Sequence, residues 1–370
     1  MTATRTLPFM PKLIGISIAV YHFMITWFAW QFILEHAGDA KRYWFLTSSS
    51  EKFLQQTPLP FREDFLYYIN YFFAVQLNLP FWFGFLLYSS IGLLSIFYLY
   101  KIMLTLIQKT PHQNKWLSWL LLAVLFLPSL HFWTGMLGKE PLCFLGITLV
   151  CYSLVKEKGF SIAFLTGIVL LLIVRPHIAL LLGLSVFMGI LFKKKIFKLA
   201  HVLLLMAFAT LSLIILVKTS WLPNISFQSL NRLMEVHHEV LSRTSTYVPL
   251  EDYNIFYKFF TFYYRPFPFE LNSLLGFMMG TENIFSLILS VAGVGALLLL
   301  LFKHRYQLSQ WEYTFIFFFI LLAMVLSLAY SNFGLISRMK NQSLPFFLVL
   351  CSYWTGIYLN TLLHEKTETR

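Results

Sequence analysis

Runs of apolar residues of roughly bilayer-crossing length divide this chain, at 12–34, 77–100, 115–131, 141–155, 160–174, 177–192, 199–217, 283–302, 312–330 and 344–362. A hydrocarbon core about 30 Å thick takes about 20 helical residues, and backbone inside it must satisfy its own hydrogen bonds. The runs near 15 residues are short for a full crossing; the others are ample. The expected fold is therefore all-α, a polytopic transmembrane helix bundle of about ten spans. Of the 370 residues, 58% are hydrophobic and 12% charged, with a mean hydropathy of +0.70. A soluble chain of this length cannot bury so much apolar surface, so lipid is part of its solvent. The first run follows Arg5 and Lys12 as the core of a signal peptide would. From Leu13 to Leu34 it is too long for one and ends without a small-residue cleavage site, so it reads as a retained first helix.

A net charge of +12 suggests a nucleic-acid partner until the charges are placed. With the N-terminus in the cytoplasm, the short connections holding Lys101, Lys109, Lys115, Lys156, Lys158, Lys193, Lys194, Lys195, Lys198, Lys303 and Arg305 fall inside. With the two termini, the inside then carries 15 of the 28 basic residues and 4 of the 16 acidic ones, leaving the outside near neutral. This is the positive-inside pattern, and it makes a nucleic-acid partner unnecessary. The expected setting is a bacterial inner membrane, multi-pass, with both termini cytoplasmic and membrane lipids as the immediate partners.

No repeat, low-complexity tract or linker appears, so residues 1–370 read as one integral membrane domain. Two outer segments, 35–76 and 218–282, are longer and chemically richer than the rest. Within the first, FREDFLYYINYFFAVQ at 61–76 starts acidic at Glu63 and Asp64 and continues aromatic, the pattern of a helix lying in the outer interface. The second holds a polar, helical stretch from Phe227 to Arg243, including His237 and His238, and then an aromatic return to the membrane surface. Cys143, Cys151 and Cys351 all sit in apolar runs and read as packing residues.

Charges beside a span are expensive unless solvated or paired, so the clusters at span boundaries are the first places to look for chemistry. There are five, all on the expected outer face. GDAKRY at 38–43 offers Asp39, a carboxylate just above the bilayer that is either a general base toward a hydroxyl or a helix cap. WTGMLGKEP at 133–141 offers Lys139 and Glu140 ahead of a proline that suits the first turn of a helix, where Glu140 would also serve the helix dipole. Arg175-Pro176-His177 forms a very short connection, an anion clamp or a snorkelling arginine with an interfacial histidine. YYRPFPFE at 263–270 fixes Arg265 between aromatic residues and prolines. NFGLISRMKNQ at 332–342 places Arg338 and Lys340 on the outer side, against the positive-inside trend.

Carboxylates among separated cations suit a substrate with an anionic head and a lipid tail. A polyprenyl-linked sugar donor fits: the phosphate meets Arg and Lys, and a carboxylate activates a hydroxyl of the glycan or lipid acceptor. No Gly-rich nucleotide loop is present. The layout resembles the GT-C superfamily of membrane glycosyltransferases. Asp39 in GDAKRY and Glu140 in GKE match that family's acidic positions after the first helix and between the third and fourth, and 61–76 matches its interfacial helix. The resemblance covers roughly residues 10–180 and implies catalysis by Asp39 and Glu140, while the boundary clusters themselves offer Lys139, Arg175, His177, Arg265, Arg338 and Lys340 to hold the substrate. Any divalent cation would fall to Asp39 and Glu140, although no paired DxD-type motif accompanies them. The C-terminal half, with RPFPFE and NFGLISRMKNQ, is more similar to polytopic proteins of bacterial surface-polysaccharide clusters, a group that includes polymerases of the O-antigen type, which rely on outer-face arginines rather than metal. A lipid or glycan flippase without bond chemistry is the third class, and the largely uncharged spans weigh against it.

Overall fold

A computed structural model describes residues 11–36, 38–46, 61–110, 115–195 and 239–368. The expected span at 199–217, the histidines His237 and His238 and most of the 227–243 stretch lie outside them. Among the described residues the secondary structure is helical, and strand pairing is limited to one bridge between Tyr247 and Asn332.

Five helices are long and apolar enough to cross a membrane: Leu13–Glu35, Phe81–Lys109, Pro176–Lys194, Leu274–His304 and Leu344–Leu363. A sixth arises if Lys115–Leu125 and Pro128–Gly135, bent by 40° at their break, count as one. The chain's contacts group into two compact units: residues 1–176 with 355–370, and residues 177–354. The last helix begins in the second and ends in the first.

Unit 1 contains α1 (Pro11–Glu35), α2 (Asp39–Trp44), α3 (Glu63–Asn70), α4 (Phe81–Lys109), α5 (Lys115–Leu125), α6 (Pro128–Gly135), α7 (Lys139–Val155) and α8 (Ile162–Val174). α3 continues through a π-helical turn, Tyr71–Gln76, so the 61–76 stretch is helical nearly throughout. α7 is buried along most of its length and packs against α4 and α8, which makes it the centre of the unit. α1 and α6 pack on each other and both pack on α4. Local sequence sets the ends: Pro128 opens α6, and Ser161 accepts from the Phe164 amide at 3.3 Å to cap α8.

Unit 2 holds nearly all of α9 (Pro176–Lys194), then α10 (Ile255–Tyr264), α11 (Leu274–His304), α12 (Gln310–Leu326), α13 (Phe333–Lys340) and the first part of α14 (Leu344–Glu368). Its caps are side-chain oxygens: Asn254 for α10, Ser273 for α11 and Asn332 for α13. At α12 the Glu312 carboxylate reaches back to the Ser309 amide at 2.7 Å, and its other oxygen accepts from Trp354 at 2.7 Å. The three cysteines are buried and unbridged, as packing residues should be.

Candidate functional site

In unit 1 four separate stretches of sequence bring their charges together. Asp39 is the first residue of α2, where a carboxylate favours the helix dipole. One turn on, Arg42 stands 3.5 Å from it and donates to Glu63 Oε2 at 3.0 Å. Glu63 opens α3, and its other oxygen accepts from the Lys139 ammonium at 2.8 Å. Lys139 opens α7 next to Glu140, which is paired with Arg175 at the end of α8. Side-chain exposure falls along the series, from 53% for Arg42 and 46% for Asp39 to 6% for Glu140 and 5% for Arg175. The Asp39 end of the series is half-exposed and the Arg175 end is buried.

Backbone and neutral side chains hold these elements in place. The Asn70 amide donates to the Tyr43 carbonyl at 2.9 Å and accepts from the Tyr88 hydroxyl at 3.1 Å, tying α2 to α3 and α4. Arg62 stands ahead of α3 at φ 61°, a conformation uncommon for a side-chain-bearing residue. Its amide donates to the Ile173 carbonyl at 2.7 Å, fixing the start of α3 to the end of α8 two residues before Arg175. Such a backbone persists only where its surroundings enforce it.

The electrostatics follow from this alternation. Burial works to raise the Glu63 carboxyl, but the hydrogen bond and charge of Lys139, helped by Arg42, hold it below its ordinary value. Asp64 goes the other way, raised by burial and by Glu63 next to it. Burial lowers the Lys139 ammonium, and Arg175 adds to that, against the pull of Glu63 and Glu140.

Unit 2 places the other sequence-derived residues differently. Arg265 closes on Glu270 of its own loop, with Nε and Nη2 2.9 and 2.7 Å from Oε1, and touches the hydroxyls of Tyr257 and Tyr253. Lys340 is completely buried; its ammonium donates to the Tyr263 carbonyl at 3.1 Å and to Asn283. Asn283 in turn donates to the Pro266 carbonyl at 2.7 Å. Both cations therefore brace the YYRPFPFE loop. Arg338 is half-buried on α13 and His177 half-buried in the first turn of α9. Among the described residues no group of three His, Cys, Asp or Glu stands close enough to hold a metal ion.

In the sequence motifs Arg42 carries no role of its own and Glu63 only that of a helix-start acid. Their opposite signs at the edges of neighbouring helices were the available signal. The same motifs leave out His22 and His131, ionisable residues within apolar runs, which is itself a mark of function. Comparison with protein-family models, with curated proteins and with solved structures returned no match.

Proposed function

We propose that this chain is a bacterial inner-membrane glycosyltransferase of about ten spans, with both termini cytoplasmic and interfacial helices on the outer face. It moves a sugar from a polyprenyl-(pyro)phosphate donor to a glycan or lipid acceptor. The observation that carries this reading is the alternating series Asp39, Arg42, Glu63, Lys139, Glu140, Arg175, drawn from four helices and graded from half-exposed to buried. In it Asp39 is the general base, since its carboxylate is half-exposed at the start of the series. Arg42 and Lys139, both leaning on Glu63, meet the donor phosphate, each charge-assisted bond contributing about 1.5–3 kcal/mol. Glu140 is held in the buried pair with Arg175, a positioning role rather than a base.

The polymerase-like alternative needs available arginines. Arg175 and Arg265 are each engaged by a carboxylate, as Arg42 and Lys139 are by Glu63, so experiment separates the two readings. The test is Asp39→Asn, which keeps the shape and removes the base. Glycan production by the variant should fall by roughly 10²–10⁴-fold with membrane insertion intact. Full production with Asp39→Asn, lost instead with Arg265→Ala, would transfer the reading to the polymerase class; silence of both would end the enzyme reading.

A further inference from the structure

Inside unit 1, away from the charge series, His22 of α1 and His131 of α6 face each other with their Nδ1 atoms 3.1 Å apart, and both side chains are wholly buried. Each ring's outer nitrogen points at a backbone carbonyl: His22 Nε2 at Ser89 of α4, 2.9 Å, and His131 Nε2 at Leu125, 2.8 Å. The Leu125 carbonyl ends α5 at the 40° break before α6, where the α-helical ladder is interrupted and a carbonyl needs another donor.

The protons can be counted. A carbonyl only accepts, so each Nε2 must carry a hydrogen to make its bond. The Nδ1–Nδ1 contact needs one more hydrogen between the rings. Three contacts thus require three protons, and two neutral imidazoles supply two. With only two, one contact sets lone pair against lone pair in a buried site, where an unmade hydrogen bond is costly.

We propose that the His22–His131 pair is a proton-binding site: it takes up one extra proton, shared between the two Nδ1 atoms, and so latches α6 to α1 and α4. The positive charge is spread over two rings and met by two carbonyl dipoles, which offsets part of its burial cost. The ionisable side chain packed on the pair is Tyr21 of α1, whose ring meets His131 edge-on at 4.7 Å. The packed helices carry their formal charges toward their ends: Lys12 and Glu35 on α1, Lys101 and Lys109 on α4, Lys115 on α5, Lys139 and Glu140 on α7, and none on α6. The packing leaves α6 no slack once latched. A Cβ on Gly92 of α4 would sit 2.0 Å from the Thr134 carbonyl, and one on Gly135 would sit 2.4 Å from Thr26 Oγ1. α6 leads through residues 136–138 into Lys139, so the state of the pair governs how firmly the start of α7 is held. The inference does not depend on the glycosyltransferase reading.

The experiment uses the full-length protein, ¹⁵N-labelled at histidine, in detergent micelles, titrated between about pH 4 and 9. His131→Asn and His22→Gln spectra assign the two rings. The expected result is a low-pH state in which both Nε2 atoms are protonated and the two Nδ1 signals are shifted together by one shared proton. That proton leaves both rings in a single step as pH rises. In either variant the step disappears. Two neutral rings over the whole range, or two rings that titrate independently, would overturn the proposal. The wild-type spectrum decides even where a variant fails to fold.

Discussion

The two units use their cations in opposite ways. Unit 1 strings them with carboxylates into a series that starts half-exposed at Asp39 and ends buried at Arg175. Unit 2 folds Arg265 back onto Glu270 five residues away and buries Lys340 among a carbonyl and an amide. In unit 2 these two cations are engaged inside one loop and its neighbours. In unit 1 Arg42 and Asp39 keep about half of their side-chain surface. A cation on an outer segment is thus no evidence of substrate binding until its partners are known.

This contrast is broken most directly at the inner end of the series. Glu140 and Arg175 are both nearly inaccessible, so removing one leaves an uncompensated buried charge. Arg175→Ala should destabilise the folded protein by about 3–5 kcal/mol, measured by denaturant unfolding in detergent. Replacing both partners with uncharged residues of similar volume, Glu140→Gln with Arg175→Met, should recover most of that loss. If the single change costs under about 1 kcal/mol, the pair behaves like a surface salt bridge and the graded picture of unit 1 fails.

Lys340 tests the other unit through pH. Burial pushes its ammonium down to about 8, against the attraction of Glu282. Its ordinary value is near 10.4, so between these two values the unfolded chain binds more protons than the folded one. Stability should therefore rise with pH from about 8 to 10.4, by up to about 3 kcal/mol, and stay flat with respect to this group below 8. Lys340→Met should abolish the rise in a pH series of thermal unfolding. A wild-type curve that falls over this window, with no difference from the variant, would mean that Lys340 is solvated.

The long helices were legible because membrane solubility writes them into composition. α1, α4, α9, α11 and α14 coincide with apolar runs that nothing else explains. The acidic start of α3 was legible too, since Glu63 does open that helix. Partnership was not. Nothing in sequence spacing says that Glu140 meets a cation 35 positions later, or that Glu63 serves both Arg42 and Lys139. These contacts are set by helix packing, and each acid had several cations of suitable sign to choose from. For Arg265 the partner was nearer at hand, since Glu270 stands in the same motif five residues on. Histidine escaped because it carries no formal charge, so spans holding His22 and His131 passed as uncharged.

The smallest effect separates the two ends of the unit 1 series from each other. Glu63 is held below its ordinary value of about 4.3, with burial opposed by Lys139 and Arg42. A carboxylate with a lowered value contributes stability that is present above its unfolded value and lost as pH falls through the folded one. The loss should therefore appear below about pH 4.3, as a lower thermal midpoint in the wild type than Glu63→Gln would show relative to neutral pH. Because Glu63 is 38% exposed and Arg42 53%, solvent screening limits the effect to under about 1 kcal/mol. Salt supplies the sharper contrast. Raising ionic strength from 0.1 to 1 M shortens the screening length from about 10 to about 3 Å, which weakens exposed pairs far more than buried ones. The stability difference between wild type and Glu63→Gln should shrink at high salt, while the cost of Arg175→Ala should hardly change. Equal salt sensitivity at both positions would mean that water reaches Arg175 as freely as Arg42, and the division of the series into a half-exposed end and a buried end would not stand.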